Sequence, residues 1–294
     1  VMIDYTNRKY DFNKNYRLYL NGGINDLEYF DPTYLNAEGF IRDGFRNYSV
    51  NGGYVHVREW RPKKEDYDYS KYYFIKWGAE QKVEVLESSR ESLGQPLRAS
   101  TFGLLAGRIQ RNRIIVDGTA GAQFVMDDNG ETENNHIQFT PNVRALYELK
   151  SYNKMKLELI YKRNFRLPSF NELYFGEVGN SNLQPEIAHQ ADLGYHWKIF
   201  ERYIGWHWEV KAQGFYNHVR NKIVAIPTKN LFVWSMQNVD KAMVYGGLVE
   251  SRAIRRFSDS HRLEFMANYT WQRVIDITPD AITYGHQVAY APEH

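Results

Sequence analysis

Residues 164 to 186 read NFRLPSFNELYFGEVGNSNLQPE. The stretch sets a guanidinium, several amides and a phenol among Phe165, Phe170 and Phe175. Pro168, Gly176, Gly179 and Pro185 break any regular element through it. Such groups can recognise a ligand without breaking a bond. Two roles are open to the aromatics: packing the loop on itself, or lining a ligand site.

Bond-breaking chemistry finds little support elsewhere in the chain. Cysteine is absent, which excludes disulfides, thiolate nucleophiles and thiolate metal sites. There is no Gly-rich phosphate loop, no serine elbow and no HExxH. Asp240, Glu250 and Glu264 could be imagined as glycosidase acids, but sequence sets no separation between them. A carboxylate on a polar strand face is ordinarily a solvated wall residue. His189, His196, His207 and His218 invite a metal reading, yet His196 and His207 fall on polar strand faces where such residues are expected. No metal site is assigned. DDNGE (127–131) holds Asp127 and Asp128 beside a glycine, as a calcium loop might, but lacks the full EF-hand spacing. Asn129–Gly130 is also a hairpin-turn signal, and the plain turn is preferred. RAIRR (252–256) reads as a basic rim. With 37 basic against 35 acidic side chains, a formal +2, no field points to nucleic acid.

The elements that would position these residues are strands. In 187–199, Ile187, Ala191, Leu193, Tyr195, Trp197 and Ile199 share one parity, with His189 their lone polar member. In 206–214, Trp206, Trp208, Val210 and Ala212 alternate with His207, Glu209, Lys211 and Gln213. In 261–271, Leu263, Phe265, Ala267, Tyr269 and Trp271 do the same. Period 2 means strands with one apolar and one polar face. Similar strands are expected near 47–60, 72–86, 98–110, 113–126, 135–149, 155–166, 242–256 and 284–294. Many exceed the usual 5 to 6 residues and reach the roughly 9 to 11 that cross a membrane at a tilt.

Connections alternate between tight (111–113, 151–154, 200–203, 257–260) and long and polar (127–134, 165–186, 217–241, 273–284). Residues 25–46 are Asp/Asn/Gly-rich and read as loop. Residues 61–72 are long where the alternation wants a short turn. Aromatics make up 16% of the chain, with 23 Tyr and 7 Trp. Trp197, Trp206, Trp208, Tyr269 and Trp271 are expected near strand ends, as in an interfacial girdle. A mean hydropathy of −0.61 is compatible with a barrel whose strands face water on one side. The expected fold is therefore all-β: an antiparallel transmembrane barrel in one region, 1–294, with about 12 strands, long extracellular loops on one rim and short periplasmic turns on the other.

The opening stretch also resembles a known family, the TonB-dependent outer-membrane receptors. Their pattern of aromatic–Arg–x–Pro–Ser–x–x–Glu–Leu–Tyr is matched by Phe165, Arg166, Pro168, Ser169, Glu172, Leu173 and Tyr174. The Gly–Asn–x–x–Leu–x–Pro–Glu that follows is matched by Gly179, Asn180, Leu183, Pro185 and Glu186. Gly194 and Tyr195 match the next strand, and Tyr290, Pro292 and His294 match a later Tyr–x–Pro–x–His. The resemblance covers barrel only. It implies about 12 of roughly 22 strands, with the plug domain and terminal strands outside this sequence.

The resemblance further implies a Gram-negative outer-membrane location, membrane-lipid contact and no enzymatic step. It implies binding of a ferric siderophore, another metal chelate or cobalamin, with import driven by the TonB complex acting on the plug. A surface lipoprotein is a possible further partner. Candidate ligand contacts on this reading are Arg166, Asn171, Tyr174 and Phe175, with Phe232 and Trp234 in the next long loop. Haem receptors of the family carry a histidine between the two boxes; 169–179 has none, which weighs against haem. Two other functions compete: a passive porin or adhesin with the same wall, and a soluble carbohydrate-binding β protein.

Overall fold

A computed structural model describes residues 2–8, 14–31, 41–60, 71–89, 93–130, 133–150, 154–175, 178–200, 205–227, 234–258, 260–279, 281–288 and 293. Among the described residues, twelve strands form one antiparallel sheet in which each pairs with its neighbours in sequence. They are β1 (Met2–Arg8), β2 (Lys14–Asp31), β3 (Ile41–Trp60), β4 (Lys71–Ser88), β5 (Leu97–Arg111), β6 (Ile114–Asp128), β7 (Glu133–Lys150), β8 (Met155–Arg166), β9 (Glu186–Phe200), β10 (Trp206–Pro227), β11 (Trp234–Arg256) and β12 (Arg262–Asp276). The one helix among the described residues, α1 (Phe170–Tyr174), lies between β8 and β9. No helix among them is long and apolar enough to cross a membrane. The all-β meander with up-and-down order is the architecture that the alternation predicts.

Side chains sort by parity. One face carries a continuous apolar row: Tyr73, Ile109, Val116, Ala145, Leu159, Leu193, Gly214, Gly247 and Trp271 are successive cross-strand partners. Leu159 and Leu193 are 57% and 60% exposed, so this face is uncovered apolar surface suited to lipid. The opposite face holds charges. Toward the short-turn rim they form pairs on eight successive strands: Arg108–Asp117–Arg144–Glu158–His196, then Lys198–Glu209, Lys211–Glu250 and Arg252–Glu264. Sheet curvature turns this charged face inward. Phe45 and Leu86, from β3 and β4, share one buried cluster with Ile223 of β10.

Strand order settles the rims. Segments 9–13, 61–70, 112–113, 151–154, 201–205 and 257–261 connect strands at one rim. The long 61–70 connection therefore keeps the parity that its length put in question.

Several expectations need correction. Residues 25–46 are not a loop: Asn25–Asp31 pairs with Ile41–Asn47, and Asp26–Arg46 and Glu28–Arg42 close ion pairs across it. Cross-strand charge pairing and the backbone ladder override the turn-prone composition. Residues 217–241 are not a long loop either. β10 and β11 pair up to Pro227 and Trp234, and only 228–233 lies between them. The β-branched run Lys222–Ile226 sustains that ladder.

The expected strand at 284–294 is absent among the described residues there. Turns run through 282–285, and a single bridge joins Ile275 to Gln287. Asp276 organises those turns by accepting hydrogen bonds from Thr278 N and the Thr283 hydroxyl. Tyr290, Pro292 and His294 lie outside the described residues. Tyr269 and Trp271 sit in the middle of β12, opposite Val249 and Gly247, so they are not girdle residues. Trp197, Trp206 and Trp208 do lie at the short-turn ends of their strands.

Candidate functional site

The segment between β8 and β9 spans the long-loop mouth as a strut. Its local fold begins with Ser169. The Ser169 hydroxyl accepts from Glu172 N, and Glu172 accepts from Ser169 N at 2.8 Å, a reciprocal capping box for α1. Arg166 then places its guanidinium 3.0 Å from both Glu172 oxygens and 3.3 Å from Glu186. Partial burial pushes the Glu172 carboxyl up, but the Ser169 amide and the Arg166 charge outweigh it. The group is held below the ordinary carboxylate range.

The chain then folds back on α1. Gly179 N donates to Phe175 O at 2.8 Å, and Asn180 N donates to Glu172 O at 2.9 Å. A Cβ on Gly179 would lie 2.7 Å from Phe175 N and 2.9 Å from Leu173 O, both backbone atoms, so the position needs glycine. Asn180 Oδ1 accepts from Asn182 N, closing the next turn.

Both ends of the strut are tied to distant wall. On one side, Arg98 of β5 donates to Pro168 O at 2.8 Å and lies 5.0 Å above the Phe170 ring. Phe170, Leu173 and Leu183 are buried with Phe45 and Leu86, and the Phe175 ring is 5.5 Å from that of Phe45. On the other side, Asn180 Nδ2 donates to Met236 O, and Met236 N donates to Val178 O. Asn238 Oδ1 accepts from Gln184 N, while its amide nitrogen donates to Gln184 O and Asn221 O. The aromatics of the opening stretch are chiefly packing for this strut.

Clefts flank it. One of about 510 Å3 is bounded by the β6–β7 hairpin and the strut, with Asn134, His136, Tyr174, Asn182 and Gln184 among its lining. One of about 170 Å3 lies on the other side of Arg98, beside Phe170 and Asn171. A cleft of about 690 Å3 between β2, β3 and β4 is lined largely by charges that already pair, Glu28 with Arg42 and Asp26 with Arg46. The 510 Å3 cleft is the stronger ligand candidate. It is bounded by strands and the strut and offers an imidazole, a phenol and four amides, Asn129 being the fourth. Burial raises the Tyr174 phenol above its ordinary value, so it stays a neutral hydrogen-bonding group.

The expected contact residues separate. Tyr174 lines the larger cleft and Asn171 the small one. Arg166 is engaged by two carboxylates and Phe175 packs on Phe45, so both serve the strut. Trp234 opens β11 opposite Pro227 and lines none of these three clefts. Phe232 lies outside the described residues. Asp127 grips Arg98 through two oxygens, and Asp128 accepts from Gly130 N in the turn. No cluster of three or more potential metal-ligating side chains occurs among the described residues. His136 and Arg98 are the groups that sequence reasoning missed; Arg98 looks like any polar-face residue of a strand. The capping box was legible in Ser169–x–x–Glu172.

An antiparallel wall with an apolar outer face, a charged inner face and a strutted mouth defines the wall of a membrane β-barrel. A family model described as TonB dependent receptor-like, beta-barrel, matches residues 3–294, and the chain belongs to that family. This is a family of transporters and receptors, found as outer-membrane barrels of Gram-negative bacteria. Over 104 residues the chain is 26% identical to the vitamin B12 transporter BtuB of Vibrio vulnificus (strain YJ016), covering 32% of this chain and 16% of the relative. In fold it is similar to the copper transporter OprC (TM-score 0.65, 12% identity, 92% of this chain and 45% of that one). It is also similar to the ferric-catecholate import receptor Fiu of E. coli K12 (TM-score 0.63, 11% identity, 100% and 49%). The chain thus spans about half the length of those two structures.

Proposed function

We propose that this chain forms the wall and mouth of an outer-membrane receptor that binds a scarce metal chelate or cobalamin at its long-loop rim. Import coupled to TonB completes the reading. The observation that carries it is the strut, which holds a polar cleft of about 510 Å3 open at the mouth instead of leaving a mobile loop. Amide, imidazole and phenol groups there suit an oxygen- or amide-rich ligand. A vitamin B12 transporter and a ferric-catecholate receptor among the similar proteins support the ligand class.

The test is uptake by cells carrying the full-length receptor, offered a panel of ferric chelates and cobalamin. Deletion of 169–184 abolishes uptake while the barrel still inserts. Tyr174→Ala combined with His136→Ala lowers uptake at least about tenfold, as loss of two ligand hydrogen bonds requires. Unchanged uptake in both variants would overturn the reading.

A further inference from the structure

The outward face of β8–β11 changes character in steps toward the long-loop rim. Leu159, Leu193, Gly214 and Gly247 are cross-strand partners in one row. Two residues further up, the row is Tyr161, Ala191, Tyr216 and Tyr245. The next is Arg163, His189, His218 and Met243, and the one above it is Phe165, Ile187, Arg220 and Lys241. Lys222 follows Arg220 on the same face of β10. Apolar surface, then tyrosines, then cations is the order met on passing from hydrocarbon to headgroups. Trp208 to His218 is also about the length with which a tilted strand crosses. The cations therefore stand at headgroup depth.

Two features make the patch more than scattered charge. Arg220 and Lys241 are direct cross-strand partners. Like charges so placed destabilise a strand pair unless an anion lies between them. Among the described side chains of β8–β11, the carboxylates Glu158, Glu186, Asp192, Glu209 and Glu250 all belong to the inward parity. Arg163 is already held in place by Phe139 O and Gln138 Oε1. Arg220 and Lys241 have no ion-pair partner among the described residues. Their heads can meet an oxyanion from outside.

We propose that this face binds the phosphates of an anionic lipid of the outer leaflet, with Arg220 and Lys241 as its main contacts and Arg163 and Lys222 at its edges. The lipid's acyl chains would lie along the tyrosine and leucine rows beneath. The proposal rests on the membrane orientation given above, with long loops outward, and is independent of the ligand at the mouth.

Native mass spectrometry of the full-length receptor in non-ionic detergent tests it. The probes are a bisphosphorylated glycolipid and the same lipid with its phosphates removed. The wild type is expected to retain the first and release the second. Arg220→Gln with Lys241→Gln should bind the phosphorylated lipid about 30-fold more weakly, from the roughly 1 kcal/mol that each cation contributes near an anionic surface. Arg220→Lys should retain it, and Lys211→Gln, on the inward face, should leave binding unchanged. A heat-sensitive shift in gel mobility confirms that each variant is a folded barrel. If the double variant fails to fold, Lys241→Gln alone should still show a several-fold loss. Equal retention of the two lipids by the wild type, or of the phosphorylated lipid by wild type and folded variants, would overturn the proposal. A wild type that takes up none of the chelates or cobalamin but retains the phosphorylated lipid would count against the receptor reading only.

Discussion

The two ends of the inner face are held by different means. Toward the short turns the wall displays exposed ion pairs such as Lys211–Glu250 and Lys198–Glu209, and its shape comes from the backbone ladder. At the mouth, Phe170, Leu173 and Leu183 are buried with Phe45 and Leu86. There shape comes from particular side chains. A ladder accepts any sequence of the right parity, whereas a small packed cluster depends on volume and partner. Side-chain changes should therefore be tolerated on the inner wall and felt at the strut.

The largest effect is expected from Phe170→Ala. It empties the centre of the strut cluster and removes the ring under Arg98, costing about 3–5 kcal/mol of local stability. Limited proteolysis should then cut within 169–184 while the barrel remains folded. Leu193→Arg puts a charge on the apolar outer face near mid-membrane, at a cost of about 2–4 kcal/mol, read from urea titration of the barrel in lipid vesicles. It should lower barrel stability and leave the strut uncut, the reverse of the first variant.

Glu172→Gln removes the charge shared by Arg166 and Ser169, at about 1–3 kcal/mol. It also sharpens the comparison through pH. The Glu172 carboxyl titrates below its unfolded value, so its contribution is fully present above that value and is lost as pH falls through the lowered one. Protease protection of the strut should fall over that acid range in the wild type, and Glu172→Gln should flatten the dependence. The smallest effect belongs to Lys211→Met, which breaks an exposed inner-wall pair and should change stability by no more than about 1 kcal/mol.

Legibility in the sequence followed the same division. Strands from β5 to β9 were readable because period 2 is a local property, and Leu193 or Trp208 announces its face without reference to a partner. The strut's breakers and its capping box are local too. Its anchors are not. Nothing near Arg98 marks it as the residue that holds Pro168, seventy positions away. Nothing near Asn238 reveals that it grips Gln184, fifty-four positions earlier in the chain. Composition misled where backbone pairing decided, at 25–46 and 217–241. It misled again at 284–288, where the Asp276 carboxylate turns an apparently alternating segment into turns.

Peptide-resolved hydrogen exchange across 169–186 in the full-length receptor tests the central claim most directly, that the mouth is spanned by a fixed strut. The amides of Phe175, Gly179 and Asn180 donate to Asn171 O, Phe175 O and Glu172 O. A fixed strut protects these amides on the time scale of the neighbouring β8 and β9 strands. Exchange at the rate of an unstructured loop would contradict it, and the cleft beside Tyr174 would then have no fixed wall.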